Sequence, residues 1–520
     1  MSEREDNRGM RRRTFLQTTG ALGASVAAGG LLPWSRYASA AGEEFDLLRV
    51  AMWSGTPNLD PEQNSIRTCI ICQNWLFDPL VWRNEKTNAL EPYLAHEYGF
   101  VGNNTWRFKL REGVTFHNGK PVDANAVRFS MLRRQDETVG SPWRKQFLDV
   151  AEINVVDQYT VDFVCKNPFP TLPAYLPVFS IMEPDYYSEN SKEHLALNPL
   201  GSGPFRLEEF KPDDVLRVTR NEDYWGKRSL AKKVEAPVIL ETATRVAGLL
   251  AGDLHIAPRP TVEDFDRIDA SDNARVSATI GNRIVLSAFN YDMEPFGNRK
   301  VRQALNFAVN QKEINDIYLR GMGELMASAI PSTVLGHDPG IELYPHDPEM
   351  ARSLLKEAGH PNGFETTIEV VPQWMVAGTE VTEAIVHYLR EVGVKAKIQV
   401  YDAGTMSSRI TSRKAGPMYM LSWGGNSTFD ADSYIGTLMG AGAWSCNHMP
   451  EVDELVAAGR ATADQGERIG IYQEANRHIH DDAPWVFLHL QPNTYGASTD
   501  HDWEGRPDEM IPLWYLSRTA

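Results

Sequence analysis

Residues 381–400 read VTEAIVHYLREVGVKAKIQV, and the change of period inside this stretch decides the fold class. Val381, Ile385, Tyr388, Leu389 and Val392 share one helical face, Gly393 stops the helix, and Val394–Val400 then alternates as a half-buried strand. Helix, short loop and strand in that order form an α/β unit. The pattern returns near the C-terminus. There Ile469, Tyr472, Ala475 and Ile479 make an apolar stripe, Asp481-Asp482-Ala483-Pro484 closes it, and Trp485-Val486-Phe487-Leu488 reads as a strand. Working back toward the N-terminus, Asp347-Pro348 opens a helix with Ala351, Leu354, Leu355 and Ala358 inward and Gly359 at its end. Asn298 caps another, whose stripe is Val301, Ala304, Leu305, Ala308 and Val309. Residues 198–205, NPLGSGPF, are rich enough in Gly and Pro to require a tight crossing before strand-like Leu216–Thr219. Thr105–Leu110 alternates, Val114 and Phe116 continue its face, and Asn118-Gly119 turns the chain, which predicts a hairpin. Asp123 then caps a short helix bearing Val127 and Met131. Residues 46–53 read as a strand that breaks into the polar loop 54–61, a place suited to ligand contact.

The chain of 520 residues exceeds the ~250–300 at which a single core stops growing, so at least two lobes are expected. Residues 10–40 have a basic start, an apolar middle and a small-residue end, the layout of an export leader. Arg12 and Arg13, followed by Thr14, Phe15, Leu16 and Gln17, resemble a twin-arginine signal, and Ala38-Ser39-Ala40 predicts cleavage before Ala41. The apolar run Ala21–Leu32 is too short for a membrane anchor, which needs ~20 residues. The formal net charge is −17, and near −20 once residues 1–40 are removed, which argues against nucleic acid as partner. Four cysteines follow the leader. Cys69 and Cys72 permit a disulfide or redox reading, but with Leu76 they share one helical face and read better as small buried hydrophobes. No second CxxC or spaced histidine pair completes a zinc site. His117, His255, His346, His360 and His387 stand apart from one another, so no metal and no cofactor is expected. His480-Asp481-Asp482 sets a histidine beside two consecutive carboxylates, and it reads as a solvated helix end rather than a general base.

Several strings together resemble the extracytoplasmic substrate-binding proteins of ABC importers, in the family that takes oligopeptides, dipeptides and nickel. They are Leu59-Asp60-Pro61, the stretch WRFKLREGVTFHNGKP at 106–121, PLGSGPF at 199–205, RNEDYW at 220–225 and NRKVRQALNFAV at 298–309. One departure is Ala126-Val127, where the family usually carries Asp-Val. The resemblance implies an α/β fold of two lobes, one with an extra domain, joined by strand hinges and closing on ligand. Its expected domains are a leader over 1–40, lobe I from 41–78 with 200–286 and 496–520, an extra domain over 79–199, and lobe II over 287–495. It implies a periplasmic, monomeric binding component with no enzymatic step, which delivers a small solute to permease and ATPase subunits at the inner membrane.

Dipeptide-binding members hold the ligand amine with an aspartate three residues after a tryptophan, and the ligand carboxylate with an arginine before a helix. Here the first position is Asn426 in Ser422–Asp432, and Val371–Met375 contains no arginine. An ammonium or carboxylate stripped of water needs an opposite charge, so a free dipeptide is disfavoured. Asp430 could replace the missing aspartate, or it belongs with Asp432 to a structural turn before Tyr434. Trp53, Trp374, Trp423 and Trp444 fall on or near the cleft loops, and flat indoles suit sugar rings, cations and apolar side chains. The expected ligand-binding set is Trp53, Ser54, Gly55, Trp374, Trp423, Gly425, Asn426, Asp430 and Trp444. The expected ligand is an uncharged oligosaccharide, a longer peptide held by its backbone, or a conjugate. A metal chelate and a secreted enzyme are the alternatives.

Overall fold

The computed structural model describes residues 43–518 except 85, 103, 426 and 427, so the expected leader and Asn426 lie outside the described residues. Residues 41–520 form one compact unit. Within it the apolar side chains gather around three main sheets. The first is four-stranded, in the order Phe45–Arg49, Ala231–Pro237, Val215–Arg220, Phe205–Lys211. Helix Arg67–Leu76 packs into its core and is buried on every side from Thr68 onward, so Cys69 and Cys72 are enclosed. All four cysteines are free and buried, and burial pushes the Cys69 thiol up to about 12 and Cys72 well above the ordinary thiol range. Such thiols are unreactive hydrophobes.

The second sheet is antiparallel, in the order Ala95–Gly102, Thr105–Leu110, Thr160–Cys165, Val150–Asp157. The hairpin expected from Thr105 to Pro121 is corrected here. Thr105–Leu110 pairs with Ala95–Gly102 and Thr160–Cys165, and only a one-bridge turn, Thr115 to Pro121, forms at Asn118-Gly119. The period of the strand was right, but its partners lie elsewhere in the chain. Asp123 does cap helix Ala124–Gln135, accepting from the N–H groups of Asn125 and Ala126.

The third sheet has seven strands. Its continuous order is Ile256–Pro258, Trp485–Ser498, Ala274–Phe289, Met418–Trp423, Glu365–Val370, Lys395–Val400, and Glu324–Leu325 adds to Trp485–Ser498. The expected half-burial of Lys395–Val400 is not observed. The strand sits at the sheet edge and five of its six residues are exposed, Ile398 and Val400 among them. The strand expected at Trp485–Leu488 runs on to Ser498. It pairs antiparallel with Ala274–Phe289 along most of both lengths, and the register slips between Ile280 and Ile284, where Gly281, Asn282 and Arg283 face Gln491. Before this bulge the paired strands pack with Leu249 and Ile268. After it they pack with the helices on the two faces of the sheet. A bulge bends the strand that carries it and re-aims its side chains.

The strings that mark the resemblance serve the scaffold. Asp60 accepts both guanidinium nitrogens of Arg133 at 2.8 and 2.6 Å, and buried Glu62 pairs with Arg134, so the loop after the first strand is tied to helix Ala124–Gln135. Gly201 and Gly203 run against the end of helix Arg67–Leu76, where a Cβ would stand 2.1 Å from the Leu76 oxygen and 2.5 Å from its carbonyl carbon. Only glycine permits that approach. Ser202, Tyr224 and Trp225 all donate to buried Asp78. In helix Arg299–Ala308, Asn306 donates to the carbonyls of Arg302 and Trp485 and accepts from the N–H of Phe487. Arg302 reaches Asp482 at the end of helix Gln465–Asp482.

Candidate functional site

The two long strands and the loops above them enclose a cavity of about 790 Å3. One wall carries Trp53 and Pro258–Val262, the other Ile317, Tyr318 and Gln373–Ala377, and the floor holds Arg283, Gln491–Tyr495 and Glu509. The walls belong to segments packed on opposite sides of the bulge. Trp53 leaves the first sheet at its C-terminal edge, and the Arg259 guanidinium lies 4.7 Å from its ring centroid. Arg259 has a left-handed backbone, φ +56°, and its N–H donates to the Thr494 carbonyl at 2.8 Å, which fixes where the side chain starts. A non-glycine residue at such a φ persists only where its surroundings impose it.

At the floor one carboxylate meets three guanidinium groups. Glu509 lies 2.8 Å from Arg259, 3.5 Å from Arg67 and 3.9 Å from Arg283. Burial pushes its carboxyl up, yet Arg259, Arg283 and Arg67 together overcome this and hold it at about 2. The neighbouring Asp508 is taken by Arg506 at 2.7 Å. Arg245, also lining the cavity, spends its donors on the carbonyls of Ile239, Leu240, Pro258 and Arg259 and on the Thr242 hydroxyl.

The structure sorts the sequence-expected residues. Trp53 and Trp374 line the cavity. Trp374 belongs to a row of half-buried indoles, 6.2 Å from Trp444, which is in turn 5.6 Å from Trp423. Trp423 donates its indole N–H to the Ser433 carbonyl, so its ring is fixed from behind. Ser54 and Gly55 sit beside Trp53, where the Thr68 hydroxyl bonds the Ser54 hydroxyl and the Gly55 carbonyl. These bonds tie the loop to helix Arg67–Leu76. Gly425 has φ +53° and a Cβ there would stand 2.4 Å from the Tyr434 ring, so the turn after Trp423 demands glycine. The Gly424 carbonyl accepts from Asn282, which ties this turn to the bulge.

Asp430 is placed otherwise. Its two oxygens accept from Arg468 at 2.9 Å each, and it is 5% exposed, so its charge is already matched. It lines a separate cavity of about 530 Å3 with Arg83, Tyr98 and Trp106. The residues that sequence reasoning missed are Arg259, Arg283, Tyr495 and Glu509. Gly281-Asn282 ahead of an apolar run was the available signal, since an isolated glycine within a strand marks a bulge.

Residues 89–446 match the model of the bacterial extracellular solute-binding proteins, family 5. The chain is 28% identical over 462 residues to heme-binding protein A of Haemophilus influenzae, covering 81% of this chain and 84% of that one. It is 28% identical over 448 residues to the dipeptide-binding protein of Escherichia coli, with 79% and 83% covered. Among solved structures, a periplasmic binding protein from Helicobacter pylori in complex with a peptide superposes with a TM-score of 0.75 at 25% identity, covering 92% of this chain and 98% of that one. HbpA2 from Haemophilus parasuis gives 0.82 at 23% identity, with coverage of 91% and 100%.

Proposed function

The chain belongs to the family 5 bacterial extracellular solute-binding proteins, and on that premise we propose that the 790 Å3 cavity is where it captures its cargo. The protein is a substrate-binding component of an ABC importer for peptides and related small solutes. The observation that carries the assignment of the cavity is its construction. Its walls come from segments packed on opposite sides of the strand bulge at 281–283, so bending at the bulge changes their separation. A solute that touches both walls stabilises the closed arrangement over the open one, and the permease reads that difference in population. No bond need be made or broken.

The lobes proposed are residues 41–78 with 200–286 and 496–520, and 287–495, with the extra domain over 79–199. The bulge in Ala274–Phe289 and the separate apolar clusters support a division close to these bounds, with Ile284, Val285 and Leu286 packing on the side of 287–495 and Tyr495 on the other. Export through a twin-arginine leader cleaved before Ala41 places the monomer in the periplasm, where permease and ATPase subunits take up what it delivers. N-terminal sequencing of exported protein is expected to begin at Ala41, and retention of Arg12 would contradict this.

Capture is tested by native mass spectrometry of protein taken from the periplasm, together with small-angle scattering before and after the bound solute is removed. One solute per chain and an increase in radius of gyration on its removal are expected. Scattering curves that do not change, or a solute recovered chemically altered, would refute the reading.

A further inference from the structure

We infer that the separate cavity of about 530 Å3 is a second binding site, for a small organic anion whose charged group pairs with Arg83 and whose flat ring lies against Tyr98 and Trp106. It shares no lining residue with the capture cavity and does not depend on it. Arg83 is 4% exposed. Other arginines as deeply buried are matched. Arg133, Arg134, Arg302 and Arg468 each hold a carboxylate at 2.6 to 2.9 Å. Arg245 has no carboxylate but meets five oxygens. Arg83 has neither. Among the described residues its hydrogen bonds go only to the carbonyls of Asn88, at 2.5 Å, and Thr428, at 2.8 Å, and it forms no ion pair. Burial pulls it down to about 10, so it stays protonated at neutral pH. Asp508 and Asp430 act on it through space alone, because each is held by two hydrogen bonds from another arginine. A charge taken out of water without a partner is costly, and a neutral occupant of the cavity leaves it unmatched. A carboxylate or a phosphate matches it, and the guanidinium fork suits either.

Two further polar atoms on the cavity wall lack partners. The side-chain oxygen of Asn88 and the hydroxyl of Thr333 are buried, and neither makes a hydrogen bond among the described residues. Polar groups on a ligand relieve that cost. The rings are already held in place. Tyr98 stacks on Phe108 with centroids 5.9 Å apart, and Trp106 donates its indole N–H to the Phe169 carbonyl at 3.0 Å. Both are half-buried, and aromatic faces fixed in advance receive a flat ring with little ordering cost. The volume lies in the range of small-molecule sites and is far more than a bare ion fills.

The test uses the purified protein stripped of bound solute by unfolding and refolding. Crystals soaked in 4-bromobenzoate are expected to show the bromine anomalous peak in this cavity, beside Tyr98 and Trp106, with the carboxylate at Arg83. In calorimetric titrations 4-bromobenzoate and phenyl phosphate should each bind roughly tenfold or more tighter than neutral 4-bromobenzamide, and R83Q should erase that preference. The order of the two anions distinguishes a carboxylate site from a phosphate-ester site, and either order supports the inference. Thr333→Val, which deletes a hydroxyl that bonds nothing in the protein, should weaken the anions several-fold with the melting temperature unchanged. That variant keeps the test decisive if R83Q does not fold, since a purely structural Arg83 leaves it binding like wild type. Bromine found only in the 790 Å3 cavity, the amide bound as tightly as the acid, or Thr333→Val without effect overturns the inference, and each of these outcomes leaves solute capture standing.

Discussion

At the scale of single residues, the floor of the cavity owes its shape to Glu509. Its carboxylate gathers guanidinium groups from three separate segments, and replacing it by glutamine leaves them to repel one another. Glu509→Gln is expected to cost ~3–5 kcal/mol of unfolding free energy, because removing one partner strands buried charge. The pH dependence has the matching sign. The folded carboxyl is held at about 2, below its value near 4.5 in the unfolded chain. Its stabilisation is therefore complete above about pH 4.5 and is lost as pH falls toward 2. Urea unfolding at pH 7, 4 and 3 checks this: the difference between wild type and Glu509→Gln should shrink across that window. Gly425 offers a second test. Gly425→Ala sets a Cβ against the Tyr434 ring at a left-handed φ, and a loss of ~1–3 kcal/mol in the same assay is expected. The place of Arg283 in the cavity was not legible in the sequence, because a bulge between two distant strands puts it there.

At the scale of elements, the helices that carry an apolar stripe and a capping residue were legible because their signals are local. Asp123, Asn298 and Asp347 each accept backbone N–H bonds at the helix start they were expected to cap. The strands were half legible. The alternation in Thr105–Leu110 marks a strand but does not name its neighbours, and the apparent hairpin dissolves into a larger sheet. Conversely, polar strings that look like candidates for chemistry secure the framework. Asn306 links helix Arg299–Ala308 to the start of Trp485–Ser498 through two hydrogen bonds, donating to the Trp485 carbonyl and accepting from the Phe487 N–H. Asn306→Ala leaves buried backbone groups of that strand unpaired, and ~1–3 kcal/mol of destabilisation is expected in thermal or urea melts. A solute that binds the folded cavity should recover part of the lost melting temperature by mass action.

At the scale of the whole molecule, Arg83 joins segments that lie far apart in the chain. Its guanidinium donates to the Thr428 carbonyl at 2.8 Å and lies 4.6 Å from the Phe429 ring, while its own carbonyl accepts from Arg506. These contacts join strand Val81–Arg83 to the loop after Trp423 and to the C-terminal segment at Arg506. Arg83→Ala is expected to favour the open form, raising the radius of gyration of the solute-free protein and weakening solute binding roughly tenfold. Unchanged scattering would show that Arg83 does not couple the two sides. The sequence alone determined the α/β class, several of the helices with the caps at Asp123, Asn298 and Asp347, and the need for more than one lobe. Each of these depends on neighbours within a turn or on the sum of the composition. Only the tertiary structure decided which strands pair, that Asp430 is matched by Arg468, and that Arg67, Arg259 and Arg283 converge on Glu509. Such meetings depend on sheet register and on a bulge between distant strands, and no local pattern of residues encodes where those strands will lie.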